Sequence, residues 1–329
     1  DSAETKKTDG KQKENVEKKD EIKKETSQKK EKTPEITKPE DTPSESTPTK
    51  AAPKEKKTSG EEAGKTQETV ALPHPQIDLS PAKLADFDYV MNQFFILDSN
   101  TETNAQQICG TRFLKEDLSI KQDPEVPQIL IYHTHSQEAF ADSVPGDVNT
   151  GIVGVGEYLT QVLTEQYGYR VLHHTGQYDV ETRDNAYSRA LPEVEQLLAK
   201  NPSIQVVIDL HRDEVAQDTR LVTELQGRPT AKFMFFNGLS RTRKTGDIDY
   251  LRNENQEANL AFSFQMQLKA AEYYPGLTRR IYLKGYRYNM HLCPRTLLVE
   301  LGAQNNTYEE AINACDPLAH ILDMVLGGE

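Results

Sequence analysis

From about residue 76 onward, the sequence alternates short, unbroken apolar segments with longer segments whose apolar residues recur at helical spacing. The short segments predict strands at 128–134, 169–175, 204–210, 231–238 and 296–301. The longer segments predict helices at 151–168, 184–200, 253–274 and 307–327. A strand that is apolar throughout must be covered on both faces, and strands that alternate with helices favour a parallel sheet. We therefore predict an α/β fold, a three-layer αβα arrangement with a mainly parallel sheet.

Local patterns indicate where several helices begin or bend. Thr307 followed by Glu310 is the pattern of a capping box. Asp184 is the predicted cap of the helix that contains Pro192, and this proline predicts a bend or a break within it. The stretch LADFDYVMNQFFIL (84–97) is dense in apolar residues and predicts a helix or a strand on the rim of the domain.

Residues 1–75 have a different composition. No Phe, Tyr or Trp occurs before Phe87, and Lys, Glu, Thr, Ser and Pro dominate the segment. Such a segment cannot bury enough apolar surface to offset the entropy of ordering, so we predict a disordered low-complexity linker. As a flexible coil, about seventy residues have an end-to-end distance of roughly 45–50 Å. One folded domain is predicted over 76–329.

The distribution of charge narrows the range of partners. The net charge is −13 at pH 7, and residues 1–70 carry 17 Lys and 17 acidic residues, so the excess of acid lies in the remainder. Phosphate backbones are bound by basic faces, which argues against a nucleic-acid partner. No run approaches the roughly 20 apolar residues that span a bilayer. Since the chain begins at Asp1 rather than at Met, we expect the natural start, with any signal or anchor, to be missing from it.

The three cysteines, Cys109, Cys293 and Cys315, are an odd number without a CxxC motif. This pattern is typical of neither a disulfide scaffold nor a zinc finger. One disulfide with a free thiol and three buried thiols both stay open as alternatives.

Polar side chains follow three of the predicted strands at the point where each strand ends. ILIYHTHSQEAF places His133, His135 and Glu138 after one strand, DLHRD places His211 after another, and LLVELGAQNN places Glu300 at the end of a third. In open α/β sheets the functional residues lie just past the carboxyl ends of the strands. We therefore expect these five side chains to lie close together although they are distant in sequence.

These residue types suit a hydrolytic zinc site. Two imidazoles and one carboxylate hold the metal and leave a position for water, whose pKa the metal lowers to about 7. A further carboxylate then takes up and returns the proton. His133 or His135, with Glu138 and His211, are the candidate ligands, and Glu300 is the candidate acid and base. Each of these residues alone is common in a structural role, so the interpretation depends on their coincidence.

The charged neighbours of His211 are candidates for supporting roles. Asp209, Arg212 and Asp213 flank it, and a zinc-bound imidazole usually donates its second N–H to a carboxylate or carbonyl. Arg212 and Asp213 are also candidates for binding substrate. His291 lies in the polar, aromatic-rich segment KGYRYNMHLCPR, which is compatible with substrate binding. The remaining histidines are interpreted as structural: His74, His173, His174 and His320.

The sequence leaves open which histidine of HTHSQE binds metal. In a continuing strand Ile131, His133 and His135 would point the same way, because the side chains of a strand alternate between its faces. His135 forms an H-x-x-E pattern with Glu138, whereas His133 is nearer to the rigid strand.

The motifs ILIYHTHSQEAF, VVIDLHRD and LLVELGAQNN, in this order and spacing, resemble the catalytic domain of the stage II sporulation protein P family. That family comprises zinc-dependent N-acetylmuramoyl-L-alanine amidases of spore-forming Gram-positive bacteria. The resemblance covers about residues 80–329. It implies a zinc-amidase αβα fold, zinc held by the HTHSQE segment and His211, and catalysis by Glu300. Gly302 and Asn305 match the glycine and asparagine that follow this glutamate in related amidases.

The resemblance also implies a substrate, partners and a location. The expected reaction is cleavage of the muramoyl–L-alanine amide of peptidoglycan, with endopeptidase cleavage of cross-linked stem peptides. Members of the family act during engulfment with the membrane-anchored stage II sporulation proteins D and M. The protein is therefore expected outside the cytoplasm, in the sporulation septum of a Gram-positive spore former, with residues 1–75 as the link below a membrane anchor.

Two other functions fit parts of the pattern. An H-x-x-E followed by a distant His and a late catalytic Glu also resembles zinc metallocarboxypeptidases. Those enzymes need an arginine for the C-terminal carboxylate of the substrate, and Arg279, Arg280 and Arg287 are available. A non-catalytic wall-binding scaffold that has kept the fold would hold no metal and would not depend on Glu300.

Overall fold

The structure is a computed structural model, and it describes residues 72–328. Of the predicted linker at 1–75, only 72–75 fall within this part, and the rest lies outside the described residues. All three cysteines are described, and none of them forms a disulfide. Within 72–328, no helix combines the length and the apolar character that crossing a bilayer requires.

The helices and strands follow one another along the chain with short connections. The strands are β1 Phe95–Leu97, β2 Ile129–Tyr132, β3 Val171–His173, β4 Val206–Asp213, β5 Val222–Leu225, β6 Arg228–Ala231, β7 Phe233–Gly238, β8 Arg241–Thr242, β9 Gly246–Asp247, β10 Ile281–Lys284 and β11 Arg295–Ala303. The helices are α1 Pro81–Leu84, α2 Phe87–Phe94, α3 Gly110–Phe113, α4 Ile152–Glu165, α5 Ala186–Lys200, α6 Gln256–Tyr273 and α7 Tyr308–Leu326. Short 3-10 helices lie at Val148–Thr150, Asp249–Leu251 and Met290–Leu292.

Seven strands form one sheet in the order β1-β10-β7-β11-β4-β2-β3. Every adjacent pair is parallel except β7 and β11, which are antiparallel. The predicted α/β fold with a mainly parallel sheet is confirmed. The single antiparallel pair divides the sheet into two groups of opposite direction. Strands β3, β2, β4 and β11 end at one edge, which we call the first edge. Strands β7, β10 and β1 end at the opposite, second edge.

The two faces of the sheet are covered unequally. Val206, Ile208 and Leu210 of β4 point into the main core, which α4, α6 and α7 complete. Val207, one position along, points to the other face, into a smaller cluster that packs under α5. The alternation of side chains along a strand therefore sends Asp209 and His211 towards the α5 side. We call this side the α5 face.

The predicted helices are present, with one difference at a helix start. Thr307 and Glu310 form the predicted capping box of α7, each bonding to the backbone of the other. The stretch 84–97 was expected to form a helix or a strand, and it contains one of each, α2 followed by β1. The predicted Asp184 cap is wrong, because α5 begins after Asn185, which adopts a left-handed conformation and makes no side-chain cap bond. Pro192 lies inside α5 without ending it.

Replacement of a ring at the centre of the main core tests this packing. Phe264 of α6 is fully buried and its ring contacts those of Phe94, Phe95 and Phe113 at centroid distances of 5.1, 6.1 and 5.6 Å. We expect Phe264→Ala to lower the free energy of unfolding by about 3–5 kcal/mol, measured by urea denaturation. Leu114→Ala, at a partly exposed site, should change it by less than about 0.5 kcal/mol. Equal effects of the two substitutions would contradict the assigned core.

Candidate metal and catalytic site

The two histidines of HTHSQE diverge because β2 ends at Tyr132. Residues 134–137 form a turn, so the alternation of strand side chains does not extend to His135. The structure thus differs from the extended strand considered above. His133 lies beneath α4 on the main-core side, and His135 lies on the α5 face.

His133 is fully buried and both of its ring nitrogens are engaged. Its Nδ1 lies 2.8 Å from the carbonyl oxygen of Leu210, and its Nε2 lies 2.9 Å from Nε2 of His173. A carbonyl accepts only, so Nδ1 of His133 donates and its Nε2 accepts from His173. Burial, followed by the charge of His173, lowers the pKa of His133 to about 3. This imidazole therefore has no nitrogen left for a metal ion.

The pair extends to a carboxylate on α4. Nδ1 of His173 lies 2.8 Å from Oε2 of Glu157. Gly156 allows the two rings to approach the helix, since a Cβ there would lie 2.6 Å from His133 and 2.8 Å from His173. Interpreting His173 as merely structural missed this contact. The Glu157–His173–His133 chain fixes the Leu210 carbonyl, which immediately precedes His211.

His135 faces His211 across the end of the sheet. The centroids of the two rings are 5.4 Å apart, and His135 is only 7% exposed. Nδ1 of His135 lies 3.5 Å from Oδ2 of Asp179. The same carboxylate accepts hydrogen bonds from the Ser136 hydroxyl at 3.0 Å and from the Gln137 amide at 3.3 Å. Asp179 thus holds the turn and lies close to the His135 ring, without the alignment of a hydrogen bond to it.

His211 lies between two buried carboxylates. Its Nε2 is 2.7 Å from Oδ1 of Asp209, and its Nδ1 is 3.6 Å from Oε2 of Glu138. The contact with Asp209 is close, although it lacks the alignment of a hydrogen bond. Burial lowers the pKa of His211, but the charge of Asp209 and the contacts with both acids outweigh burial, so the pKa is raised well above its usual value.

Glu138 is buried and held by three groups. Arg183 donates to its Oε1 at 2.6 Å, and the backbone N–H of Arg212 donates to its Oε2 at 2.8 Å. Burial raises the pKa of Glu138, but His211 and the two arginines favour the charged form and lower the pKa to about 2. Glu138 is therefore a carboxylate at neutral pH.

Glu300 occupies the adjacent strand beside His211. The two residues are register partners in the parallel pair β11 and β4, so their side chains share the α5 face. Burial raises the pKa of Glu300 most, and the charge of Glu138 raises it further against the opposing effect of His211, to about 8. The two carboxyl groups of this site, Glu138 and Glu300, therefore differ widely in their affinity for a proton.

Arg212 and Asp213, the two predicted supporting residues next to His211, both contact other segments of the chain. The Arg212 side chain donates to the Ala139 carbonyl at 3.1 Å, on the segment that follows Glu138. Asp213 pairs with Arg279 at 2.5 Å, and its charge contributes to the raised pKa of Glu300. Arg212 thus positions the Glu138 segment, whereas Asp213 acts on Glu300 through charge.

Asn305 and Gly302, which the resemblance singled out, hold the connection after β11. The Asn305 amide donates to the carbonyls of Ala216 and Thr219 at 2.9 and 2.8 Å. Gly302 has a φ of +67°, a conformation that favours glycine. Both residues therefore help to fix the conformation of the backbone that follows Glu300.

Two tyrosines form an aromatic wall beside the histidines. The ring of Tyr187, on the first turn of α5, lies 5.7 Å from that of His135 and stacks at 6.3 Å on that of His211. Tyr288 contacts Tyr187 at 5.3 Å. Tyr288 belongs to the aromatic-rich segment flagged in the sequence, and this segment therefore borders the site. His291 of the same segment is half-buried, and burial, followed by the charge of Arg287, lowers its pKa to about 4.

The sequence motifs did not identify Asp179, Arg183 or Tyr187. All three lie in the connection from β3 to α5 or at the start of α5, without a motif of their own. The available clue was topological, because β3 ends at the same edge as β2 and β4. The connection after β3 was therefore a place to look for site residues.

The residues of this cluster are of the types that bind zinc, namely two histidines and a carboxylate. His135, Glu138 and His211 lie together at the first edge, and a carboxylate lies behind each imidazole, Asp179 behind the first and Asp209 behind the second. Such outer carboxylates are typical partners of metal-bound histidines. Among residues 72–328, no three His, Cys, Asp or Glu side chains already stand in a metal-holding arrangement. The ligand atoms would have to converge by side-chain rotation.

Comparison with known proteins places these features in a family. The sequence model described as "Stage II sporulation protein P (SpoIIP)" matches residues 1–323. The stage II sporulation protein P of Bacillus subtilis (strain 168) is 25% identical over 214 residues, which cover 59% of this chain and 49% of that protein. The chain thus spans about half the length of this relative.

Solved structures give weaker similarities. An N-acetylmuramoyl-L-alanine amidase of Nostoc punctiforme is 12% identical with a TM-score of 0.37, covering 61% of this chain and 97% of that one. An N-acetylmuramoyl-L-alanine amidase of Clostridium difficile 630 is 13% identical with a TM-score of 0.37, covering 61% and 94%. The family assignment depends on the sequence match and not on these values.

A methyl group at Gly156 tests the buried histidine pair. Alanine normally stabilises a helix relative to glycine, but here its Cβ would collide with His133 and His173. We expect Gly156→Ala to lower the free energy of unfolding by about 1–3 kcal/mol, measured by denaturant titration. Gln161→Ala, at an exposed position of the same helix, is the control and should be nearly neutral. A stabilising Gly156→Ala would show that the two rings do not pack on this helix.

Proposed function

Because this chain belongs to the stage II sporulation protein P family, we propose that it hydrolyses the N-acetylmuramoyl–L-alanine amide of peptidoglycan. The observation that carries the proposal is the convergence of His135, Glu138, His211 and Glu300 at one edge of the sheet. Endopeptidase cleavage of cross-linked stem peptides is proposed as a second activity of the same site. The role is septal peptidoglycan degradation during sporulation.

We propose that zinc is held by His135, Glu138 and His211, and that His133 is not a ligand. The support lies in the hydrogen bonds, since both nitrogens of His133 are already paired. Asp209 occupies the Nε2 side of His211, which leaves Nδ1, on the Glu138 side, for the metal. By the same argument, Asp179 occupies Nδ1 of His135 and leaves Nε2. The proposal thus favours His135 over His133 as the ligand from the HTHSQE motif.

The remaining groups suit hydrolysis of an amide. A bound zinc ion would polarise the amide carbonyl and lower the pKa of a water molecule. Glu300 is the group that takes a proton from the attacking water and passes it to the leaving amine, because a base with a pKa near neutrality does both efficiently. Its pKa of about 8 before metal binding is in that range. Arg183 and the Arg212 amide keep Glu138 charged and oriented.

The carboxypeptidase alternative is less well supported by the arginines. Arg279 is paired with Asp213, and Arg280 donates to the Asn92 carbonyl. Arg287 donates to the Arg252 carbonyl and lies on the aromatic segment rather than beside Glu300. These three arginines therefore do not stand ready at the first edge for a terminal carboxylate. Product analysis with a glycan-linked muropeptide separates the two, since the amidase releases an L-alanine amino terminus.

The cellular setting is proposed from family membership. We propose that the protein acts outside the cytoplasm at the sporulation septum, attached through a membrane anchor outside this chain. Stage II sporulation proteins D and M are the proposed partners. Co-purification from sporulating cells would test both partners.

Metal content distinguishes the two histidines. We expect His135→Ala and His211→Ala to lose the stoichiometric zinc of the parent protein, because each removes a ligand. His133→Gln should keep the zinc and instead lower the free energy of unfolding, because it breaks a buried pair. Zinc is measured by atomic absorption after gel filtration, with circular dichroism to verify folding. Zinc loss in a folded His133→Gln, with retention in His135→Ala, would reverse the assignment.

The role of Glu300 is tested by an isosteric change. We expect Glu300→Gln to keep zinc and to lower turnover of a muramoyl-peptide by about 10²–10⁴-fold, because the amide cannot transfer the proton. Glu309→Gln, an exposed position at the start of α7, is the control and should retain full turnover. Near-normal turnover in Glu300→Gln would exclude the catalytic role of Glu300, whereas the absence of turnover and of zinc in the parent protein would favour a scaffold.

A further inference from the structure

The reversal of strand direction between β7 and β11 creates a second edge where strands end. A cavity of about 680 Å³ lies at this edge. Its lining comes from the segments that follow the three strands, 98–100 after β1, 242–250 after β7, and 284–286 at the end of β10. The positions outside the carboxyl ends of strands are where open α/β sheets bind ligands. The cavity therefore has the topology of a binding site separate from the metal cluster.

Two exposed tyrosines flank the cavity. Tyr250 is 79% exposed and Tyr286 is 56% exposed, and both line it. Within residues 72–328 they are the only Phe or Tyr side chains in the exposed class. Exposed aromatic rings at a concave site indicate a ligand with flat apolar surfaces and polar edges. The C–H faces and hydroxyl groups of sugar rings match this description.

The lining carries three basic and three acidic side chains, and two of the acids are already engaged by partners within the protein. Arg243, Lys244 and Lys284 line the cavity, and none of the three forms an ion pair with a described residue. Of the lining acids, Asp247 pairs with Arg241. Asp98 accepts hydrogen bonds from Tyr282 at 2.8 Å and from the Asn100 amide at 2.9 Å. Asp249 is the remaining acid of the lining. A ligand that carries carboxylates is therefore favoured.

An aromatic path on the α5 face joins the cavity to the metal cluster. Tyr288, two residues beyond Tyr286, contacts Phe236 at 4.8 Å and Tyr187 at 5.3 Å, and Tyr187 stacks on His211. The six residues of β7 separate the two edges by about 20 Å. Since Phe236 is buried, a polymer bound at both edges would pass over this layer of rings and span that distance.

We propose that the cavity at the second edge binds a second stretch of the peptidoglycan chain that is being cleaved at the first edge. Sugar rings stack on Tyr250 and Tyr286, and stem-peptide carboxylates meet Arg243, Lys244 and Lys284. The inference rests on the proposed function, because peptidoglycan is the polymer that combines sugar rings with acidic peptides. The second site strengthens binding of the polymer and has no effect on a fragment too short to span both edges.

Binding to purified peptidoglycan sacculi by the full chain tests the proposal. In a Glu300→Gln background, which prevents turnover, Tyr250→Ala with Tyr286→Ala should weaken cosedimentation with sacculi by about tenfold. With Glu300 intact, the same pair should lower kcat/KM on sacculi by a similar factor and leave kcat/KM on a single muramoyl-peptide unchanged. Thermal unfolding verifies that the exposed substitutions preserve the fold.

Reversal of the charge at two lining residues tests the proposal independently, and a second double substitution serves as its matched control. Arg243→Glu with Lys244→Glu should weaken binding to sacculi, and the loss should shrink as salt is added. Lys115→Glu with Lys200→Glu makes the same change in net charge at exposed positions elsewhere and should leave binding intact. Equal losses from both pairs would indicate a general charge effect and overturn the cavity assignment.

The outcomes separate the two proposals. Unchanged binding to sacculi in both cavity variants would overturn the second site, while normal cleavage of the short fragment would leave the proposed function standing. Failure of the parent protein to cleave the short fragment would count against the proposed function. In that case, binding of the Glu300→Gln protein and of its cavity variants to sacculi would still test the second site.

Discussion

The geometry of the site depends on the contacts that the Asp209 carboxylate makes. It is buried near the end of β4, accepts hydrogen bonds from the amide and hydroxyl of Thr134 at 2.9 and 2.7 Å, and lies 2.7 Å from Nε2 of His211. A buried carboxylate is costly unless its oxygens are satisfied, so these partners must stay in place. The same bonds hold the residue between His133 and His135 at the end of β2. One acid therefore turns the chain after β2 and orients His211 on β4.

The direction of the strands explains why chemistry and cavity lie apart. If all seven strands were parallel, every carboxyl end would open at one edge, and one crevice would collect the functional residues. The antiparallel pair of β7 and β11 sends three strand ends to the opposite edge. The α5 face between the edges carries Phe236, Tyr288 and Tyr187. This arrangement suits a long substrate more than a small one.

Much of the fold was predictable because its determinants are local. Unbroken apolar segments predicted β2, β3, β4, β7 and β11, whereas β10 was not predicted. Thr307 with Glu310 marked a helix start that the structure retains. The convergence of His211 and Glu300 followed from strand ends alone. The divergence of His133 and His135 was not predictable, because it depends on a turn held by Asp209, 75 residues away from Thr134. Asp179 and Arg183 escaped notice for a related reason, since a loop residue acquires its role from what the fold places opposite it.

The two carboxyl groups of the site show how surroundings assign roles to one residue type. Glu138 and Glu300 are both largely buried beside His211, and burial alone would raise the pKa of each. For Glu138, burial is outweighed by the contact with His211 together with the charges of Arg212 and Arg183, so its pKa falls to about 2. For Glu300 no hydrogen bond offsets burial, and its pKa rises to about 8. A permanently charged acid suits a metal ligand, whereas a carboxyl group that binds its proton more tightly can take up a proton and return it near neutral pH. The difference arises from the partners of Glu138, among which His211 lowers its pKa most, followed by Arg212 and Arg183. It therefore depends on residues that the fold brings together from separate segments of the chain.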